Sequence, residues 1–151
     1  MKPRLALLPL AALALGAGAP LPSAKDGASI SVTVTDLRNA KGLLRACMTA
    51  AEDDFPECKR TASVHTASVD AAKGSVIFTF DDVAPGRYAI ALLHDENANG
   101  KADRALGMIP KEGFGFSRDA KVRMGPPKFD DAAFDLKGDD KAMSIKMRYL
   151  I

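Results

Sequence analysis

The stretch Ser75-Val76-Ile77-Phe78-Thr79-Phe80-Asp81-Asp82-Val83-Ala84-Pro85-Gly86-Arg87-Tyr88-Ala89-Ile90-Ala91-Leu92-Leu93 decides the fold. Its first six residues are rich in β-branched and aromatic types, which fit a pleated, half-buried surface. Asp81 to Gly86 predicts a turn, because Pro85 fixes φ and Gly86 tolerates a tight reversal. Arg87 to Leu93 predicts the next strand. Two strands around a turn need further strands to bury their apolar faces, and the rest of the chain supplies candidates.

Upstream, Ser29-Ile30-Ser31-Val32-Thr33-Val34-Thr35 alternates polar and apolar residues with period two, the mark of a half-buried strand. Asn39-Ala40-Lys41-Gly42 reads as a turn, and Leu43 to Thr49 as a second strand, so these two strands are expected to form a hairpin. Residues 50–60 are expected to be a loop or one helical turn with a solvated charged face, pinned by Pro56. Val64 to Val69 is a weaker strand, and its His65 receives no role. Downstream, Ala132 to Leu136 and Ser144 to Leu150 give two more strands, separated by a turn at Gly138-Asp139-Asp140. No segment shows a convincing amphipathic helical period. Seven short strands divided by turn signals predict an all-β protein, an antiparallel β-sandwich of about seven strands with Ig-like architecture.

The exception is a long irregular loop at 94–128. Gly107, Gly113, Gly115 and Gly125, with Pro110, Pro126 and Pro127, oppose a long helix there. Phe114 and Phe116 interleave with Gly113 and Gly115, either as anchors in the core or on the sheet edge, or as an aromatic ligand platform.

The loop opens with His94-Asp95-Glu96-Asn97-Ala98-Asn99-Gly100-Lys101-Ala102-Asp103. Hard cations take six to eight oxygens, and alternate residues of a tight loop can aim at one centre. Asp95, Asn97 and Asn99 fall at positions 1, 3 and 5 of such a loop, with Gly100 at 6, Lys101 offering a carbonyl at 7, and Asp103 at 9. Position 12 is Leu106, not the bidentate glutamate of an EF-hand. Glu112 is the candidate to fold back and supply the missing carboxylate. The candidate cofactor is therefore Ca²⁺, held by Asp95, Asn97, Asn99, Lys101, Asp103 and Glu112, with the weak affinity of about 10⁻⁴–10⁻³ M typical of extracellular modules. The competing reading is a polar turn between strands, since Asn-Gly favours tight reversals.

The N-terminus reads as an export signal. Lys2 and Arg4 precede an apolar run, Leu5 to Leu15, that is too short to span a bilayer. Ala17-Gly18-Ala19 fits a small-x-small cleavage pattern, and because Pro20 follows it, cleavage nearer Ala24 is an alternative. We set residues 1–24 aside as the signal peptide and take 25–151 as a single domain. Its expected location is periplasmic or secreted, and nothing after residue 24 reads as a membrane span. The signal holds two of the 21 basic residues and none of the 19 acidic ones, so the remainder is neutral. A neutral chain has no broad electrostatic footprint for nucleic acid. Cys47 and Cys58, both in the exported part, are expected to form a disulfide in an oxidising compartment. They have no His or Cys companions at zinc-ligand spacing.

No catalytic residues are assigned. His94, Asp95 and Ser117 contain the residue types of a small hydrolase, but there is no Gly-x-Ser-x-Gly elbow. Neighbours on a strand also point to opposite faces. The other alternative, a small-ligand carrier, needs a cavity between the sheets, and Phe78, Phe80, Tyr88, Ile90, Leu92 and Phe134 look sufficient to fill that space.

Phe78 to Ala91 is similar to the strand-turn-strand of prealbumin-like and carboxypeptidase-regulatory-like sandwich modules. The loop 94–103, then Gly107-Met108-Ile109-Pro110-Lys111-Glu112-Gly113-Phe114-Gly115-Phe116-Ser117, then Gly125-Pro126-Pro127-Lys128-Phe129-Asp130-Asp131-Ala132, resembles the bacterial family DUF2141 over residues 29–150. Ala98 stands where that family often has glycine. The resemblance implies an exported, prealbumin-like β-sandwich and transfers no catalytic residue. A protein or glycan partner is expected to meet the surface around 95–118.

Overall fold

The computed structural model describes residues 26–59 and 64–151; the expected signal segment at 1–24 lies outside the described residues. Among the described residues ten strands run in chain order: β1 (Ala28–Leu37), β2 (Leu43–Thr49), β3 (Val64–Asp70), β4 (Gly74–Val83), β5 (Gly86–Asp95), β6 (Arg104–Ala105), β7 (Ile109–Pro110), β8 (Gly113–Phe116), β9 (Phe134–Leu136) and β10 (Lys141–Lys146). A single helical turn, α1 (Phe129–Ala132), precedes β9.

The strands form a sandwich. One sheet has the order β10-β1-β4. The other has the order β3-β2-β5, and the far edge of β5 is shared by β8, paired along residues 91–94, and β9, paired along 86–88. Alternation in β1 places Ile30, Val32 and Val34 inside and the serines and threonines between them outward. These residues meet Phe78, Phe80 and Ile145 of their own sheet, and Leu44, Met48, Tyr88, Ile90 and Leu92 of the other, in one continuous core. Burying such side chains contributes about 1.5–3 kcal/mol each.

Three expectations are corrected. β1 and β2 do not form a hairpin: β1 pairs with β4 and β10, β2 with β3 and β5. The connection at 38–42 is long enough to carry the chain from one sheet to the other. The turn expected at 81–86 shrinks to Ala84-Pro85, because Asp81-Asp82 is absorbed as a bulge in β4 with Asp82 at φ +54°. Tyr88 Oη donates to the Ala84 carbonyl at 2.9 Å and closes that corner. The last strand is 141–146, not 144–150, and it pairs with β1 in parallel.

β8 lies inside the stretch expected to be irregular. Its phenylalanines and glycines face opposite ways. Phe114 and Phe116 lie against a second apolar cluster on the outer face of β5, with Ala89, Phe129, Ala132, Ala133 and Phe55. Gly113 and Gly115 face the 145–149 segment. A Cβ on Gly113 would sit 2.3 Å from Tyr149 Cε1, and one on Gly115 would sit 3.1 Å from Ile145 Cγ2. The motif is thus a strand with side chains only on the face that has room, and the anchor reading of the two phenylalanines holds.

Cys47 and Cys58 form the expected disulfide. It closes the loop that carries Phe55. The Phe55 ring stands edge-on to Phe116 at 5.8 Å and to Phe129 at 6.1 Å. The 50–59 segment is therefore a lid on the second cluster as well as a charged loop.

Candidate functional site

β5 ends at Asp95, and the chain turns at once into the acidic loop. Asp95 is completely buried and organises that turn. Its Oδ1 accepts from the Asn99 amide at 3.0 Å, and its Oδ2 accepts from the Gly100 amide at 2.8 Å and from Arg45 Nε at 2.6 Å. Burial alone would raise the Asp95 pKa. The Arg45 guanidinium and the two amides outweigh it, and the carboxyl is held below its ordinary value. Gly100 at φ +75° and Ala98 at φ +55° make the reversal. Ala98 is a costlier occupant of that conformation than glycine.

Asn97 and Asn99 repeat the pattern on a smaller scale. Asn97 Oδ1 accepts from the Asn99 amide at 3.2 Å, and Asn99 Oδ1 from the Lys101 amide at 2.8 Å. Their Nδ2 groups both donate to one oxygen, Asp103 Oδ2, at 2.7 and 2.9 Å. Three of the six candidate ligands therefore meet at a single exposed point. Glu112 lies beneath. It is buried, and its two oxygens accept from the amides of Glu96 (3.0 Å) and Asp103 (3.1 Å). Its expected role is to supply the missing carboxylate of the loop; here both its oxygens are on backbone amides. Among the described residues no three His, Cys, Asp or Glu side chains converge on one point, so an oxygen set here depends on the two amides.

A second network braces the loop from behind. Glu96 takes Arg38 Nε at 2.9 Å, and the side-chain Nδ2 of Asn39 also donates to it. The Arg38 pair, opposed by burial, pulls the Glu96 pKa down from 4.5 to about 2. Arg38 lies 4.5 Å over the Tyr149 ring. His94 is completely buried; its Nε2 donates to the Lys41 carbonyl at 2.8 Å, and its Nδ1 lies 2.7 Å from Tyr149 Oη. A carbonyl can only accept, so the proton belongs on Nε2. Sequence reading gave no role to Arg38, Arg45, Glu96 or Tyr149. The one available signal was a lone charge, Arg45, inside an otherwise apolar strand.

The three hydrolase-type residues do not form a nucleophile-base pair. Ser117 is fully buried, and its Oγ accepts from the Ile90 amide at 2.9 Å and donates to the Ala132 carbonyl. It bridges the gap on the edge of β5 between β8 and β9. His94 is occupied by Tyr149 and Lys41, and Asp95 by Arg45 and the loop. Among the described residues one continuous apolar cluster lies between the sheets. A depression of about 490 Å³ opens at the margin between β9 and β10, lined by Arg87, Arg118, Phe134, Asp135, Lys141 and Met143, among others. Among the described residues no helix is long and apolar enough to cross a membrane.

No curated protein and no solved structure matches the chain. A family model described as an uncharacterized protein conserved in bacteria matches residues 32–144. That span runs from β1 to within β10 and takes in the whole braced loop, and the chain belongs to the DUF2141 family.

Proposed function

We propose that the protein is an exported, non-catalytic β-sandwich module whose 95–103 loop takes a Ca²⁺ ion. The observation that supports this is the meeting of Asn97, Asn99 and Asp103 at one point above a turn already fixed by Asp95. A loop ordered before the ion arrives lowers the entropic cost of binding. Each asparagine oxygen uses one lone pair on a backbone amide and keeps a second; the Asp95 carboxylate carries three donors against about four acceptor sites. The set is then Asp95, Asn97, Asn99, Asp103 and the Lys101 carbonyl, each asparagine offering the second lone pair of the oxygen that already accepts from the backbone. Glu112 stays below the ion as a brace. Two carboxylates give a weak site, in the range of about 10⁻⁴–10⁻³ M.

Calorimetric titration with Ca²⁺ should show binding in that range. At a hundred times Kd the ion adds about 2.7 kcal/mol of stability, a rise of several degrees in Tm for a domain of this size. Asp103→Ala should abolish both effects. Wild-type protein with neither heat nor a Tm rise at about a hundred times that Kd would remove the reading.

A second reading, a carrier of a small anionic ligand, is favoured by Arg118 and Lys141 at the depression beside Phe134 and Met143, where Arg87 is paired with Asp130 and Asp135 adds one acid. Its volume lies in the range of small-molecule sites, about 300–1,000 Å³. A Lys141→Gln variant that binds amphipathic carboxylates as well as wild type would argue against it.

A further inference from the structure

The β6–β7 hairpin, which follows the acidic loop, wears its apolar residues outside. Leu106 is 94% exposed and Met108 79%, and Ile109 is 39% exposed. Large apolar side chains gathered at one exposed point mark a docking surface more often than chance exposure does. The reversal is made by Leu106 and Gly107, both at positive φ, +51° and +72°. A leucine is a poor occupant of the left-handed region. It gains nothing here from packing, since it is almost fully exposed and a Cβ added to the adjacent Gly107 would meet nothing within 4 Å. The hairpin is not loose at its base: the Lys111 amide donates to the Asp103 carbonyl at 2.9 Å, and Glu112 holds the Asp103 amide.

Within 95–112 the charged residues that are exposed are all basic. Lys101, Arg104 and Lys111 are exposed, and among the described residues none of them is in an ion pair. Two of the acids nearby are paired, Asp95 with Arg45 and Glu96 with Arg38, while Asp103 and Glu112, which are less exposed, accept from neutral amides and keep their charge. The hairpin is thus a convex apolar tip within a cationic collar.

We propose that this tip inserts into the surface of an anionic lipid bilayer, with Leu106, Met108 and Ile109 at the acyl boundary and Lys101, Arg104 and Lys111 on the headgroup phosphates. A few apolar side chains combined with a basic cluster are the two signals that peripheral membrane binding requires. A protein partner fits less well. A stable protein interface buries about 800 Å² on each side, and a convex tip of three side chains falls far short of that. The inference does not depend on the metal reading, so it is tested in chelator.

The chain without residues 1–24, which carries every described strand, is sedimented with two kinds of vesicle: phosphatidylcholine alone, and phosphatidylcholine mixed with phosphatidylglycerol. Wild type should bind the mixed vesicles, and salt should weaken the binding. The double variant Leu106→Asn, Met108→Gln should reduce the bound fraction about tenfold or more, as loss of buried acyl-boundary contacts requires. Asparagine tolerates the left-handed conformation, so this variant should keep its Tm. Arg104→Gln with Lys111→Gln should erase the preference for anionic vesicles. Binding retained by the double variant at unchanged Tm overturns the proposal. So does a wild type that binds neither kind of vesicle, including one that instead self-associates through the tip.

Discussion

Replacing Glu96 by glutamine tests whether the network behind the loop stabilises the fold through charge. Glu96 is 17% exposed at its side chain and receives Arg38 and Asn39. Its pKa falls from 4.5 to about 2, led by the Arg38 hydrogen bond. At full value such a shift corresponds to about 3 kcal/mol. Arg38 is 36% exposed, and solvent screening reduces that figure to about 1–2 kcal/mol. The folded pKa lies below the unfolded one, so the contribution is complete above about 4.5 and is lost as pH falls toward 2. Urea unfolding of wild type and Glu96→Gln should therefore differ by about 1–2 kcal/mol at pH 7. The gap should persist to pH 5.5 and close on the way to pH 2. Asp95, whose pKa is also lowered, titrates in both proteins, so the difference between them isolates Glu96. A gap that stays constant down to pH 2.5, or no gap at pH 7, would refute the reasoning. Adding Arg38→Met to complete a double-mutant cycle should recover a coupling of the same size.

Ser117→Ala should cost about 1–3 kcal/mol in urea unfolding, because it leaves the buried Ile90 amide without its acceptor; if any esterase or peptidase activity exists, the same variant shows whether it depends on this hydroxyl. Gly113→Ala should be destabilising by about 1–3 kcal/mol, since its Cβ would overlap the Tyr149 ring at 2.3 Å. The near-ultraviolet circular dichroism of the tyrosines should change with it, and an unchanged spectrum and Tm would show that the ring has room to move. Replacing both Cys47 and Cys58 by alanine should cost about 3 kcal/mol for a loop of this length, and amides around Phe116 and Phe129 should exchange faster as the Phe55 lid loosens. Equal exchange there would confine the role of the disulfide to the unfolded chain.

The strands were legible because each carries its evidence within a few residues. The serine-threonine alternation of β1 and the aromatic run of β4 each specify one buried face with no knowledge of a partner. Which strands pair was not legible. A two-residue turn with the right residues dictates a hairpin, but five residues between Leu37 and Leu43 permit a crossing between sheets, and that is what the chain does. The Ala84-Pro85 corner crosses as well, from β4 in one sheet to β5 in the other. In a sandwich such corners are common, and turn chemistry reports only that the chain reverses. β8 was missed for a different reason. Glycine has low strand propensity, yet the approach of Tyr149, Ile145 and Met147 excludes anything larger at positions 113 and 115. The feature that makes this strand possible is the one that hides it.

The candidate site divides along the same line. Asp95, Asn97 and Asn99 bond to amides two to five residues ahead, so their spacing announces a shaped polar loop. What lies beneath comes from far away in sequence. Arg45 is 50 residues from Asp95, and Arg38 is 58 from Glu96. Spacing in a sequence cannot announce such partners. Burial could have demanded one: a fully buried carboxylate at the end of a central strand requires a cation or several donors, and Asp95 has both. A carboxylate that is satisfied without metal is no argument against metal, because the turn it holds presents Asn97, Asn99 and Asp103 together whether or not an ion is present. It does change what an ion would do. The fold would not wait for calcium, and binding energy would appear as added stability of a loop already built, not as the ordering of a loose one.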